Sequence, residues 1–144
     1  MAKLERIWLK RGKGGPMDPV DSAQLEVSGG LRGNANRGGR RQVTIISRER
    51  WAELMAALGA DLPPATRRAN LMVSHLDLEN SRGRVLRVGA ARLQINGETR
   101  PCELMEEAHA GLQALMRERW GGGAFAEVVE GGEIRVGDEV EWAQ

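Results

Sequence analysis

The chain holds one cysteine, Cys102, set in Arg100-Pro101-Cys102 between a strand-like and a helix-like segment. A thiolate there would serve as a nucleophile or a soft metal ligand, and both Arg100 and a helix start favour the ionised form. Glu103, Glu106 and Glu107 follow at once and favour the neutral thiol. A helix dipole is worth only ~0.3–1 kcal/mol at an exposed end, so three carboxylates can offset it. A second reading stands beside the reactive one. Cys102, Met105, His109 and Leu112 fall on one helical stripe, which would make the thiol part of a core. His109 lies seven residues on, roughly 10 Å away along a straight helix, so the two cannot share one ion. His75 falls in a strand-like run, and no His/Cys metal site is expected.

The second chemical signal is basic. Arginine supplies 18 of the 21 basic residues, and it is the side chain suited to a bidentate grip on phosphate or carboxylate. Between Leu31 and Arg50 stand Arg32, Arg37, Arg40, Arg41, Arg48 and Arg50 against one acid, Glu49. The stretch from Gly29 to Gly39 is a glycine-rich loop whose backbone amides and arginines are placed to cradle an anion. Arg67 and Arg68, just ahead of a strand-like run at Leu71, are placed to converge on it. For any single arginine, a solvated loop position is the competing reading.

These residues need elements to hold them. Glycines punctuate short segments throughout, as in a protein of many short strands. Leu25 and Val27, Leu93 and Ile95, Ile134 and Val136, and Val140 and Trp142 alternate with polar neighbours and read as half-buried strands. Val43–Ile46 and Leu71–Val73 read as interior strands, and 4–9 as an N-terminal one. Two segments carry helical period instead. Trp51, Leu54, Met55 and Leu58 form one stripe between a Ser47 N-cap and Gly59. Met105, Ala108, Leu112, Leu115 and Met116 form the other, starting after Pro101 and ending by Gly121. Gly83-x-x-Leu86-Arg87-Val88-Gly89 matches Gly131-x-x-Ile134-Arg135-Val136-Gly137, which predicts two equivalent hairpins in one curled sheet or barrel. Gly121-Gly122-Gly123 reads as a flexible connector. It follows a helix and lacks the Lys-Ser/Thr of a phosphate loop.

With 144 residues, 41% hydrophobic, the chain fits a single domain over 1–144 with a real core. A net charge of +1 argues against a bulk nucleic-acid binder. The apolar runs are too short for a membrane-spanning helix, and the N-terminus lacks a signal-peptide h-region. One cysteine excludes an intrachain disulfide and a multi-thiolate zinc site. A cytoplasmic location in a reducing compartment is expected.

Several blocks together resemble the MOSC domain, named for the C-terminal region of molybdenum-cofactor sulfurase. They are Gly30-Leu31-x-Gly33-Asn34 through Gly38, Arg41-Gln42-Val43, Leu62-Pro63-Pro64, Arg68-x-Asn70-Leu71, Arg100-Pro101-Cys102 and Glu130-Gly131-Gly132-x-Ile134-Arg135-Val136-Gly137-Asp138. They follow the family's order over nearly the whole chain, without the cysteine-desulfurase domain of some relatives. The resemblance implies a mainly β, closed or partly closed barrel-like fold with a few helices. It also implies a pocket for the molybdenum cofactor or a related sulfur-handling task. Cys102 matches the family cysteine proposed to carry a persulfide or ligate molybdenum, chemistry that a soft, reversibly oxidised thiol permits. Arg68 and Asn70 match the family Arg-x-Asn, with Arg41 a further holder of the anionic ligand. Where members often carry Asp and, two residues later, His, this chain has Asn34 and Asn36. Charge is lost there, while hydrogen bonding and turn formation are kept.

The first expectation is therefore a molybdenum-cofactor-binding or sulfur-carrier protein taking sulfur from a cysteine desulfurase. A second is a molybdenum-dependent reductase of N-hydroxylated compounds. It would need an external reductase, since the chain has no Rossmann fingerprint and no iron–sulfur cysteines. A third is a non-catalytic anion-binding or interaction domain. No haem, NAD or iron–sulfur cluster, nucleic acid or membrane is expected as a partner.

Overall fold

In the computed structural model, which describes residues 1–12, 14–35 and 37–143, alternation sets the strands and bulges correct it. Strand β1 (Lys3–Lys10) buries both Leu4 and Ile7, an odd spacing made possible by a bulge between Leu4 and Arg6 opposite β6 (Leu71–Ser74). The remaining strands are β2 (Met17–Val20), β3 (Ser22–Glu26), β4 (Gly30–Leu31), β5 (Val43–Ser47), β7 (Val85–Val88), β8 (Ala91–Glu98), β9 (Ala124–Glu130), β10 (Gly132–Arg135) and β11 (Val140–Trp142). Eight of them form one sheet in the order β11-β7-β8-β9-β5-β6-β1-β2, and β10-β3-β4 form a second. The large sheet curls until its far end meets β1 again. There Leu4 N donates to Asp138 O at 2.8 Å and Gly137 N to Leu4 O at 2.7 Å, beside a lone Lys3–Glu139 bridge. The fold is mainly β, a partly closed barrel. Its interior holds Leu4, Ile7, Ile45, Leu71, Leu86, Leu93 and Ile95, all removed from solvent.

Every neighbouring pair is antiparallel except β5 and β6, which run parallel and so need a crossover. Helix α1 (Arg48–Leu58) supplies it. Ser47 is its N-cap, with Oγ accepting from Arg50 N at 3.2 Å, and Gly59 ends it in the left-handed conformation at φ 63°. Both ends lie where the sequence pattern puts them. Ser47→Ala is expected to cost about 1 kcal/mol, read as a fall of about 3 °C in a thermal melt. Trp51, Leu54 and Met55 of α1 pack with Met105, Leu112 and Met116 in a small helical core outside the barrel. No helix among the described residues is long and apolar enough to cross a membrane.

Several expectations are corrected. The second helical stripe is two short helices, α2 (Glu103–Ala108) and α3 (Leu112–Met116), broken where His109 turns extended and Gly111 takes φ 90°. The second hairpin does not form, because β10 pairs with β3 and β11 with β7, in different sheets. Val27 and Val136 lie beyond the ends of β3 and β10 and are exposed. His75 sits after β6, not in a strand, at φ 56°. The triple glycine is buried, not a free connector.

Candidate anion site

Lys10 at the end of β1, Asn34 in the loop after β4, Arg41 ahead of β5, Thr44 within it, and Arg68 and Asn70 after the 3-10 turn 64–67 line one polar cavity of about 190 Å3. Among the described residues no carboxylate lines it. The cations are crowded. Burial, then the charges of Arg68 and Arg41, pull the Lys10 pKa below its ordinary value. That charge therefore costs stability at neutral pH, and the cost is relieved as pH rises through the lowered pKa. A bound anion relieves it at any pH below that.

The cavity wall is held from behind by Asn70. Its Oδ1 accepts from Thr44 N at 3.1 Å and Thr44 Oγ1 at 3.2 Å. Its Nδ2 donates to Trp8 O and to Asn34 Oδ1, each at 3.2 Å. The side chain thus joins β1, β5 and the Asn34 loop, and both of its amide hydrogens are spent on protein. Asn34 Oδ1 also accepts from Lys10 N at 2.7 Å. Arg68, left-handed at φ 63°, donates to Gly15 O at 2.6 Å in the β1–β2 loop.

Arg41, Arg68, Asn34 and Asn70 are thus brought together as the sequence suggests; Asn36 lies outside the described residues. Other parts of the basic segment go elsewhere. Arg32 and Arg37 both pair with Glu26, and Arg48 pairs with Glu5 and Glu49. Arg50 binds Glu53 and Glu118 O. Among the described loop amides, those of Asn34, Ala35 and Gly38 are not open to an anion, since they donate to the Leu31, Lys10 and Gly29 carbonyls. A charge run shows nothing of the acids that will face it, which is why only Arg41 of the six arginines reaches the cavity. Lys10 lies in strand β1, outside the glycine- and arginine-rich segment, and the sequence does not point to it.

Cys102 lies apart from the cavity. It is exposed at the N-cap of six-residue α2, on an open groove with Glu103, Leu104, Glu107 and Gln113. The core-thiol reading is overturned, because Cys102 stands ahead of the helix in extended conformation and is exposed, while Met105 of the same stripe is buried. Arg67 is electrically between the two places. It is 7% exposed, with Nε donating to Gly122 O at 3.0 Å and Nη2 to Thr99 O at 3.4 Å. Burial and the charge of Arg41 bring its pKa down to about 10, while Cys102 acts to raise it. A buried charge of this kind costs stability below that pH and is relieved only above it. Among the described residues no group of three or more His, Cys, Asp or Glu is arranged to hold a metal ion.

The cavity is cationic and sits on a partly closed, mainly β barrel. The sequence model of the MOSC domain matches residues 20–141, and the chain belongs to that family, which is generally linked to molybdenum-cofactor binding. Solved structures agree on the fold. The YuaD protein of Bacillus subtilis is similar at 24% identity and a TM-score of 0.80, over 98% of this chain and 94% of that one. YiiM of Geobacillus stearothermophilus matches at 14% identity and 0.81, over 100% and 76%. YiiM of Escherichia coli matches at 21% and 0.73, over 99% and 70%. No curated protein sequence matches the chain. The three cations Lys10, Arg41 and Arg68 fit the phosphate-bearing end of such a cofactor in charge. The soft donor Cys102 stands on a separate, open groove.

Proposed function

We propose that the chain binds an anionic, phosphate-bearing cofactor of the molybdopterin class, with Cys102 as its sulfur residue, either a persulfide carrier or a molybdenum ligand. The observation that carries this reading is the convergence of Lys10, Arg41 and Arg68 on one cavity with no carboxylate among its described residues. Arg41 and Arg68 would take the phosphate oxygens by charge-assisted hydrogen bonds, with Lys10 as a compact third charge. Asn34 and Asn70 would hold the wall in register. The cofactor, when bound, would supply redox or sulfur-transfer chemistry. The protein's part is to bind, orient and present a thiol. Exposure of Cys102 suits exchange with another protein, a cysteine desulfurase as sulfur donor or a reductase as electron donor.

The test is the composition of protein purified from cells that make the cofactor. Molybdenum by elemental analysis, oxidised pterin by fluorescence and sulfane sulfur by cyanolysis are each measured. Wild type is expected to carry pterin together with molybdenum or labile sulfur. Cys102→Ser should lose the metal or sulfur, and Arg41→Ala with Arg68→Ala should lose the pterin. Wild-type protein with none of the three sinks the reading. A simpler measurement uses inorganic phosphate. At ten times its Kd, an anion stabilises by about 1.4 kcal/mol, or roughly 4 °C in Tm. That rise should vanish in Arg41→Ala and survive in Cys102→Ser.

A further inference from the structure

A second groove, of about 300 Å3, lies where the first turn of α1 meets the segment after β6 and the loop before β9. It shares no residue with the cationic cavity and does not include Cys102. Three observations mark it out.

The first is backbone conformation. His75 at φ 56° and Arg119 at φ 53° line the groove, and Trp120 at φ 57° follows directly. None is glycine, and such residues persist only where their surroundings hold them, often at ligand sites. His75 is held by Glu49, whose Oε1 accepts its backbone N–H at 2.9 Å. The second is an unmet donor. Arg50 gives Nη2 to Glu118 O at 3.0 Å and Nη1 to Glu53 Oε1 at 3.3 Å, while its Nε is buried without a partner. That nitrogen is itself closed to solvent, so a groove ligand reaches Arg50 only through its other atoms. The third is charge. Arg50, paired with Glu53 at 3.3 Å, and Arg119, paired with Glu79 at 3.6 Å, share the groove with Glu49, Glu53 and Asp77, and half-buried Leu76 adds an apolar stretch. A ligand of one sign would meet repulsion as well as attraction, whereas a ligand with both signs meets each with its opposite.

We propose that this groove binds a small zwitterion, an aliphatic α-amino acid. Its carboxylate lies toward Arg50 and Arg119 and its ammonium toward Glu53 and Asp77. The site is independent of the cofactor reading and stands or falls without it.

The experiment titrates the 15N-labelled full chain with L-valine and with its two single-charge relatives, isovalerate and isobutylamine. Valine is expected to shift the amide signals of residues 47–50, 75–77 and 119 saturably and to leave those of Lys10, Arg41 and Asn70 in place. Each single-charge relative should bind about tenfold more weakly or worse, the loss of one charge-assisted contact. Arg119→Gln and Asp77→Asn should each weaken valine by about the same factor. The asparagine keeps the Oδ1 that accepts the Glu79 amide at 2.9 Å, so the local turn is preserved. The proposal is overturned if valine at about 20 mM moves no signal saturably. It is equally overturned if isovalerate binds as well as valine.

Discussion

In a thermal melt, Asn70→Ala is expected to unfold roughly 12 °C or more below the wild-type chain. The residue belongs to the Arg-x-Asn block, where sequence points to a ligand contact, yet its side chain makes four hydrogen bonds within the protein. Alanine leaves Thr44 N and Trp8 O each short of a partner in a largely buried place, and takes from Asn34 Oδ1 one of its two donors. An unmet buried group costs ~1–3 kcal/mol, and water from the adjoining cavity can satisfy some of them, so about 4 kcal/mol is the net figure. For a chain of this size that corresponds to about 3 °C per kcal/mol. Arg68→Ala is the matched comparison. It removes a cavity cation and one bond to Gly15 O, so it should weaken phosphate strongly while moving the melt by only a few degrees. An Asn70→Ala melt within about 3 °C of wild type would show that these bonds do not hold the strands together.

This contrast shows what kind of information the sequence carries. Alternation and caps are local, so β5, β8 and α1 with Ser47 and Gly59 are legible in it. The motif blocks are legible too, and they bring Asn34, Arg41, Arg68 and Asn70 to one cavity. What escapes is decided across the fold. The glycine turns at Gly89 and Gly137 look alike, but only the first returns its strand to the same sheet; the second hands the chain from β3 to β7. The Met105–Met116 stripe keeps helical period through a backbone break, because hydrophobic spacing does not register the φ of Gly111. Glu26 precedes Arg32 by 6 residues and Arg37 by 11, but no strand or helix period links them, and the turn between decides that it takes both. The burial of Arg67 follows from Gly122 and Thr99 carbonyls contributed by two other strand ends.

The triple glycine yields the other large effect, and it depends on contacts rather than flexibility. Gly123 has φ 91°, and a Cβ there would lie 2.1 Å from Ile45 O and 3.1 Å from Ile46 Cγ2. Ile45 is paired with Ala124 in the β5–β9 ladder, so an added methyl drives the two strands apart where the barrel interior begins. Thr99 N donates to Gly123 O at 2.9 Å, so β8 is disturbed as well. Gly83 provides the control. Its φ is 85°, but nothing lies within 4 Å of its added Cβ. Gly83→Ala therefore isolates the conformational cost, about 1 kcal/mol or a few degrees of Tm. Gly123→Ala bears that cost plus displacement of backbone in a packed core, about 4 kcal/mol or more in all. The expected gap between the two melts is at least 9 °C, by the same scale of about 3 °C per kcal/mol. Equal melting of the two variants would mean that the β5–β9 junction gives way without penalty, and that the glycine is there for its backbone angles alone.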